Sequence, residues 1–499
     1  MPAVQGRVAA PLSAAFSTVT IPAGTSPLAV AVAPNGNVYV GNANSNNVTV
    51  ISSTTNTVLA TVPAGSNPAM VAVAANGNVY VTNQSSSNVT VIDSTNNTVL
   101  ATVPVGGGPF ALAVAPNGRV YVANSTSNNV TVIDSVTNAV VGSPIPVGAV
   151  PDAVAVAQNG NVYVANRNDG NVTVIDSATN TVLTRPTGGF PGAVAVAPNG
   201  NVYIANQTSN NVTVIDSATN AVLATVPAGS VPGVVAVAPN GNVYVTNTVS
   251  NNVTVIDSAT NAVLATIPTG AGPFGIAVAP TGKVYVGNSN SNNVTVIDSA
   301  TNTVLVTVPA GAFPFSVAAA QNSNVYVTNA NSANVTEISP LTVTTSLTSK
   351  CELSVTFSIS GGTPSGTAVV DFGDGSPTVT VALDATGSGQ TTHTYTAGTF
   401  TATVNGNPTS VTVPSGSGRP CCHGWSPAGD DARSSQSPRP HCCAGIGKPP
   451  HAEGSSPSTV APAAHPSPWP SSGPSCPWPA KTAAGTTAEY KANSPASAT

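Results

Sequence analysis

Between Phe16 and Pro340 the chain has no histidine and no cysteine, and its one glutamate is Glu337. General acid–base catalysis draws most often on histidine, or on a carboxyl tuned toward neutral pH. Here the carboxyls are mostly aspartates of one kind: Asp93, Asp134, Asp176, Asp216, Asp257 and Asp298 each end the wording "NVTVID". One to a repeat, they are spread too widely to pair or to gather round a metal, and they read as caps of Asx-turns. Asp152 and Asp169 break that pattern. Arg167 and Arg185 stand near them in a stretch otherwise almost free of charge, so this quartet is the candidate for polar recognition.

Other short matches carry little chemistry. "DFG" at Asp371–Gly373 has no kinase context, and "GIGKPP" lacks the Ser or Thr and the preceding strand of a phosphate loop. "CCH" (Cys421–His423) and "HCC" (His441–Cys443) hold metal-ligand types at a spacing that fits no zinc pattern. Asp371 and Asp374 fall short of the six to eight oxygens that Ca²⁺ takes. No cofactor and no metal is expected.

Bulk composition narrows the partners. Charged residues are 6% of the 499, and net charge is −5. The basic residues before Arg419 are Arg7, Arg119, Arg167, Arg185, Lys283 and Lys350, scattered singly, which gives a phosphate backbone nothing to hold and disfavours nucleic acid. Apolar runs stop at Pro, Gly or Asn, well short of the roughly 20 residues of a membrane-spanning helix, so no transmembrane segment is expected. "MPAVQGRVAAPLSAAF" is a poor secretory signal.

The elements that position these residues follow from repetition. Tyr recurs at 39, 80, 121, 163, 203, 244, 285 and 326, in steps of 41, 41, 42, 40, 41, 41 and 41. A period near 40 with strand-like content points to propeller blades. One unit reads as four strands: "PGVVAVAP", an "NG" hairpin turn, "NVYVTN", a polar loop, "NVTVID", the "DSATN" turn and "AVLATIP". The fourth strand of the last unit is missing, and an unattached copy, "STVTIPAG" (Ser17–Gly24), opens the chain. Closing the ring with it removes two unpaired edges. The expectation is an all-β, eight-bladed propeller closed by an N-terminal strand, with seven blades as the alternative.

"NVYVTN…NNVTVIDSATNTVLATVPAG" resembles the YVTN β-propeller repeat family of surface-layer-like and secreted proteins, over about Phe16–Ser339. The resemblance implies a location at the cell surface or outside the cell, and a binding role. After Pro340 the period is lost. "DFGDGS" with "HTYTAGTFT" resembles a PKD-type immunoglobulin-like β-sandwich, a common extracellular spacer, over about Leu341–Pro414; alternating Val, Thr and Phe support a small sandwich independently. The expected division is an extension (1–15), the propeller (16–340), the sandwich (341–414) and a Pro/Ser/Gly/Ala-rich tail (415–499) too poor in apolar residues to order. The abrupt change at Ser415 also fits a tail translated out of frame.

Antiparallel order puts the first-to-second and third-to-fourth turns on one face, and these are nearly invariant among the units. The blade linkers and second-to-third loops on the other face vary, and function tends to sit on such loops. Phe110, Phe190, Phe274, Phe313 and Phe315 lie in or beside the linkers, and Asp152, Arg167, Asp169 and Arg185 of the fourth unit are expected on or near the same face. Together they form the candidate surface for a protein, peptide or glycan, read as a non-enzymatic binding, adhesion or structural role. The alternative is a propeller-type hydrolase or lactonase, whose usual histidines or clustered acids the inner strands do not supply.

Overall fold

The computed structural model describes residues 16–340 without a break, and 342–413 apart from 350–353, 361–366, 373–375, 385–386, 395–397 and 405–406. The expectations for 1–15, Cys351, Asp374 and the tail with its Cys/His pairs fall outside these residues. No helix occurs among the described residues, and none is long and apolar enough to cross a membrane.

Eight four-stranded antiparallel blades follow the period, with inner strands beginning at Pro27, Pro68, Pro109, Pro151, Pro191, Pro232, Pro273 and Pro314. We number them one to eight in that order. Blade one is typical: Pro27–Val32, Asn37–Asn42, Asn47–Ser52 and Val58–Pro63, paired in sequence from the axis outward. Blade eight takes its outer strand from the other end of the chain. Phe16–Pro22 pairs with Asn334–Pro340 over seven residues, from Phe16 opposite Pro340 to Pro22 opposite Asn334.

The repeated wording encodes the contact between blades. Tyr39 is fully buried, and its hydroxyl donates to Asn97 Oδ1 in the third-to-fourth turn of the next blade at 2.6 Å. Tyr80, Tyr163, Tyr203 and Tyr244 reach Asn138, Asn220, Asn261 and Asn302 in the same way. Tyr326 of blade eight reaches Asn56 of blade one, so the closing interface uses the same bond as the internal ones. Each accepting Asn has φ near +55°, a conformation Asn tolerates better than most residues. Where the second strand reads "YVTN", Thr adds a further link: Thr82 and Thr246 donate to the carbonyls of Phe110 and Phe274 in the next blade, each at 3.1 Å.

The "NG" hairpins form, but in another geometry than a two-residue turn. In blade one only Gly36 has positive φ (+86°), its N–H returning to Ala33 O at 2.9 Å. Asn35 keeps an ordinary φ; its side chain donates to Ser94 O of the next blade and accepts from the Asn37 N–H.

The uneven Tyr steps of 42 and 40 arise at the outer rim. Blade three's outer strand is split into Ala139–Val140 and Ile145–Pro146 around Gly142. Blade four's outer strand, Val182–Pro186, lacks the register shift seen in blades such as five, and so is one residue shorter.

Apolar side chains fill the centre. Met70 and Leu112 of blades two and three share one cluster with Val234, Ile276 and Phe315 of blades six, seven and eight, and Leu28 of blade one packs against it. Beyond Pro340 lie a three-stranded sheet containing Ser354–Ser360 and Gly389–Thr394 and a four-stranded sheet containing Thr367–Asp371. Phe357 of the first meets Phe372, just past the strand of the second, at 5.4 Å, and Phe372 stacks on His393 at 4.0 Å. This facing of two sheets is the expected small sandwich.

Candidate functional site

One face of the ring is occupied by structural work. The six patterned aspartates cap turns: Asp93 Oδ1 accepts from the Thr95 backbone N–H at 2.8 Å, and Asp134, Asp176, Asp216, Asp257 and Asp298 act alike. Those backbone bonds hold the carboxyls of Asp93, Asp134, Asp176 and Asp257 below the ordinary range.

The other face carries the variety. The residue before each inner-strand Pro has positive φ in every blade: Ser26, Asn67, Gly108, Val150, Phe190, Val231, Gly272 and Phe313. Gly, Asn and Ser fit this conformation readily, whereas a β-branched Val or a bulky Phe costs on the order of 1–3 kcal/mol. Blades four, five, six and eight thus hold apolar side chains at strained positions around the mouth of the ring. Just inside them, the second residues of the inner strands form a second circle: Leu28, Ala69, Phe110, Asp152, Gly192, Gly233, Phe274 and Phe315. Phe274 lies 5.2 Å from Phe315, and Phe315 stacks on Phe313 at 6.0 Å, so three expected aromatics form one group. Phe110, two blades beyond Leu28, joins a different cluster, with Ile145 and Val154.

The charged quartet divides. Asp152 is not an exposed ion-pair partner: it is 5% accessible, in the inner circle. Burial pushes its carboxyl up to about 7, against the pull of Arg167. Arg167 Nε lies 3.9 Å from Asp152 Oδ2, and the guanidinium sits 5.3 Å from the centre of the Phe190 ring. Phe190 is 40% accessible. Asp152, Arg167 and Phe190 therefore come together.

Asp169 serves the loop instead. Its Oδ2 accepts from the Ala149 N–H at 2.8 Å, as Ser45, Ser86 and Ser250 accept from the linker amides of their blades. Arg185 leaves the expected face altogether. It occupies the outer-strand position where blade five buries Val226, and its Nε donates to the Asn220 carbonyl in a third-to-fourth turn. The missing bulge residue puts this long side chain at an apolar position, and the charged head extends past it to a backbone carbonyl.

Glu337 carries more weight than composition alone suggests. It is fully buried on the last third strand, where the other units have Val, between Tyr326 on one side and Val19 of the closing strand on the other. Burial pushes its carboxyl up to about 7, tempered by the neighbouring Asn56 and Ser339 side chains. Tyr285 of blade seven has no hydroxyl partner, because the chain break in blade eight removes the turn that would supply the Asn. Phe16 takes that place, edge-on to Tyr285 at 6.2 Å. A residue that departs from its seven equivalents was the available signal.

Among the described residues no three His, Cys, Asp or Glu side chains gather as a metal site would need.

Comparison with known proteins gives the fold and a partial family likeness. The model of the Virginiamycin B lyase family matches residues 179–363, from the outer part of blade four into the strands after Pro340. No curated protein matches the chain. The computationally designed Ika8 protein is 18% identical, with 64% of this chain and 98% of that chain covered and a TM-score of 0.56. Sqt1 of Saccharomyces cerevisiae is 10% identical over 64% of this chain and 97% of its own, also at 0.56. A streptogramin B lyase structure is 10% identical over 65% of this chain and 98% of its own, with a TM-score of 0.47. The chain thus shares its propeller fold with the first two.

Proposed function

We propose that the chain is a non-enzymatic binding propeller of the cell surface or exterior, which engages its partner through the variable face. The observation that carries this is the division of labour between faces. The invariant turns are consumed by inter-blade bonds, while the opposite rim keeps Val150, Phe190, Val231 and Phe313 at positive φ. Strain of that kind persists where function or packing repays it. The YVTN-like wording and the PKD-like sequence after Pro340 support an extracellular setting, with the sandwich as spacer.

The test is sedimentation of the full chain with envelopes of its native cell. Binding is expected, with loss in Phe190→Ser and no change in Asp257→Asn on the invariant face. A soluble cytoplasmic pool with no envelope association overturns the reading.

The family match over 179–363 favours a second reading, a lyase acting on virginiamycin B. A lyase needs a group that can take a proton near its substrate; residues 16–340 offer neither histidine nor cysteine, and on the variable face the carboxyl raised toward neutrality is that of Asp152. Incubation with virginiamycin B, followed chromatographically, should show no loss of the compound beyond the buffer control; turnover would favour the lyase.

A further inference from the structure

Four basic side chains lie within residues 16–340, and three of them serve the scaffold. Arg119 donates from Nη1 to Ser177 O at 2.9 Å, Arg185 donates to Asn220 O, and Lys283 Nζ rests 5.2 Å from the centre of the Phe16 ring. The first two end on third-to-fourth turns, and the third ends where such a turn is replaced. Arg167 alone stands on the variable face, at the start of blade four's second-to-third loop.

That arginine is held but not used up. Its backbone N–H bonds Val150 O at 3.0 Å, Asp152 lies buried beside Nε, and the guanidinium covers Phe190. Nε is buried and makes no hydrogen bond. A guanidinium fixed by a ring on one face and an acid at one edge keeps a rigid fork of donors for an outside acceptor. A planar carboxylate matches such a fork with two parallel bonds. Apolar side chains lie near it: Phe190 is exposed, Val150 and Val231 stand half-buried on the linkers either side of that of Phe190, and Phe110 is buried in the adjoining blade, while Asn168 and Asp169 follow Arg167 in the same loop.

We infer that Arg167 and Phe190 form a binding site for a carboxylate carried on an apolar body, either a peptide C-terminus with an apolar last residue or a free apolar acid. The inference rests on the variable face being the binding face, and it names the ligand chemistry there. Asp152 does not cancel the attraction. Burial raises its carboxyl to about 7, so near neutrality it is only partly ionised beside Arg167. A phosphate dianion fits less well, because a second cation is lacking on this face among the described residues.

The experiment uses the full chain and an N-terminally labelled Gly-Gly-Phe-Phe peptide, read by fluorescence anisotropy, as the free acid and as the C-terminal amide. The acid is expected to bind at least ten-fold more tightly than the amide. Arg167→Gln should bring the acid down to the amide's affinity, while Arg185→Gln leaves the ratio intact. Should Arg167→Gln fail to fold around the buried Asp152, Phe190→Ala provides the second variant and should weaken acid and amide alike. Displacement by 3-phenylpropionate assigns the site to free acids as well; no displacement assigns it to peptide termini, and both support the site. Equal affinity for acid and amide, or no binding of either peptide or of phenylpropionate at millimolar concentration, overturns it. Envelope binding that persists in such a chain would leave the wider reading of the face standing.

Discussion

At the scale of single residues, the repeat is a code for holding blades together, and its most repeated letter shows this. Tyr203 donates to Asn261 Oδ1 at 2.8 Å, while Tyr121, equally buried, has no hydroxyl partner. The surroundings differ as well: Arg119 replaces the Asn found two residues before most of these tyrosines, and it donates to the Ser177 carbonyl of the facing turn. Removing a hydroxyl that is hydrogen-bonded costs about 1 kcal/mol, whereas removing one that is buried and unbonded costs nothing or stabilises. Tyr203→Phe should therefore lower the denaturant midpoint, and Tyr121→Phe should leave it unchanged or raise it. Equal losses in the two variants would mean that the bond to Asn261 contributes nothing. The same scale shows why the candidate site was only partly legible. Asp152, Arg167 and Phe190 stood out as exceptions in type, and they meet. Asp169 and Arg185 stood out equally, yet one merely replaces a loop serine and the other follows a missing bulge residue to the far side.

At the scale of elements, strand number, order and hairpin positions were readable because alternation and turn residues report local geometry. The bulge and the identity of the side chain beneath the last strand depend on pairing across the sheet, which the wording of one unit does not contain. The seam strand makes the consequence measurable. Glu337 has its carboxyl raised from 4.5 to about 7, first by burial, so the folded chain keeps a proton that the unfolded chain releases. Its neutral form contributes fully below about pH 4.5, and that contribution is lost as pH rises through about 7, up to about 3 kcal/mol in all. The groups facing it add no compensating charge in this window. Tyr326 and Tyr285 are pushed upward by burial and stay neutral, and Lys283 sits over Phe16. Glu337→Val restores the residue of the other units, so unfolding midpoints should rise more at pH 8 than at pH 5. Asp152, raised similarly, keeps part of the pH slope in the variant. A Glu337→Val midpoint that tracks the parent's at every pH would show that the carboxyl is not buried in solution.

At the scale of the whole molecule, ring closure is a matter of chain order and not of special chemistry. Asn322 and Tyr326 of blade eight meet Ser53 O and Asn56 of blade one, the bonds that Asn35 and Tyr39 make to blade two. What distinguishes the closure is that blade eight is assembled from both ends, 322 positions apart where Ser17 Oγ meets Ser339 Oγ at 2.7 Å. This was legible from counting strands, because an orphan outer strand and a vacant outer position admit one simple pairing. Removal of residues 1–24 deletes the buried Phe16 and Ile21 and uncovers Glu337 and the edge of Asn334–Pro340. Loss of a buried Ile or Phe side chain alone costs about 2–5 kcal/mol. The truncated chain should melt well below the intact one and should associate through its open edge at raised concentration, since an unpaired strand is a template for another. Adding the peptide Phe16–Gly24 in trans should raise the melting temperature again, and less so at high pH, where the charge on Glu337 opposes burial under a new strand. A truncated chain that melts with the intact one would show that the eighth blade does without its outer strand and that the ring does not depend on pairing Phe16–Pro22 with Asn334–Pro340.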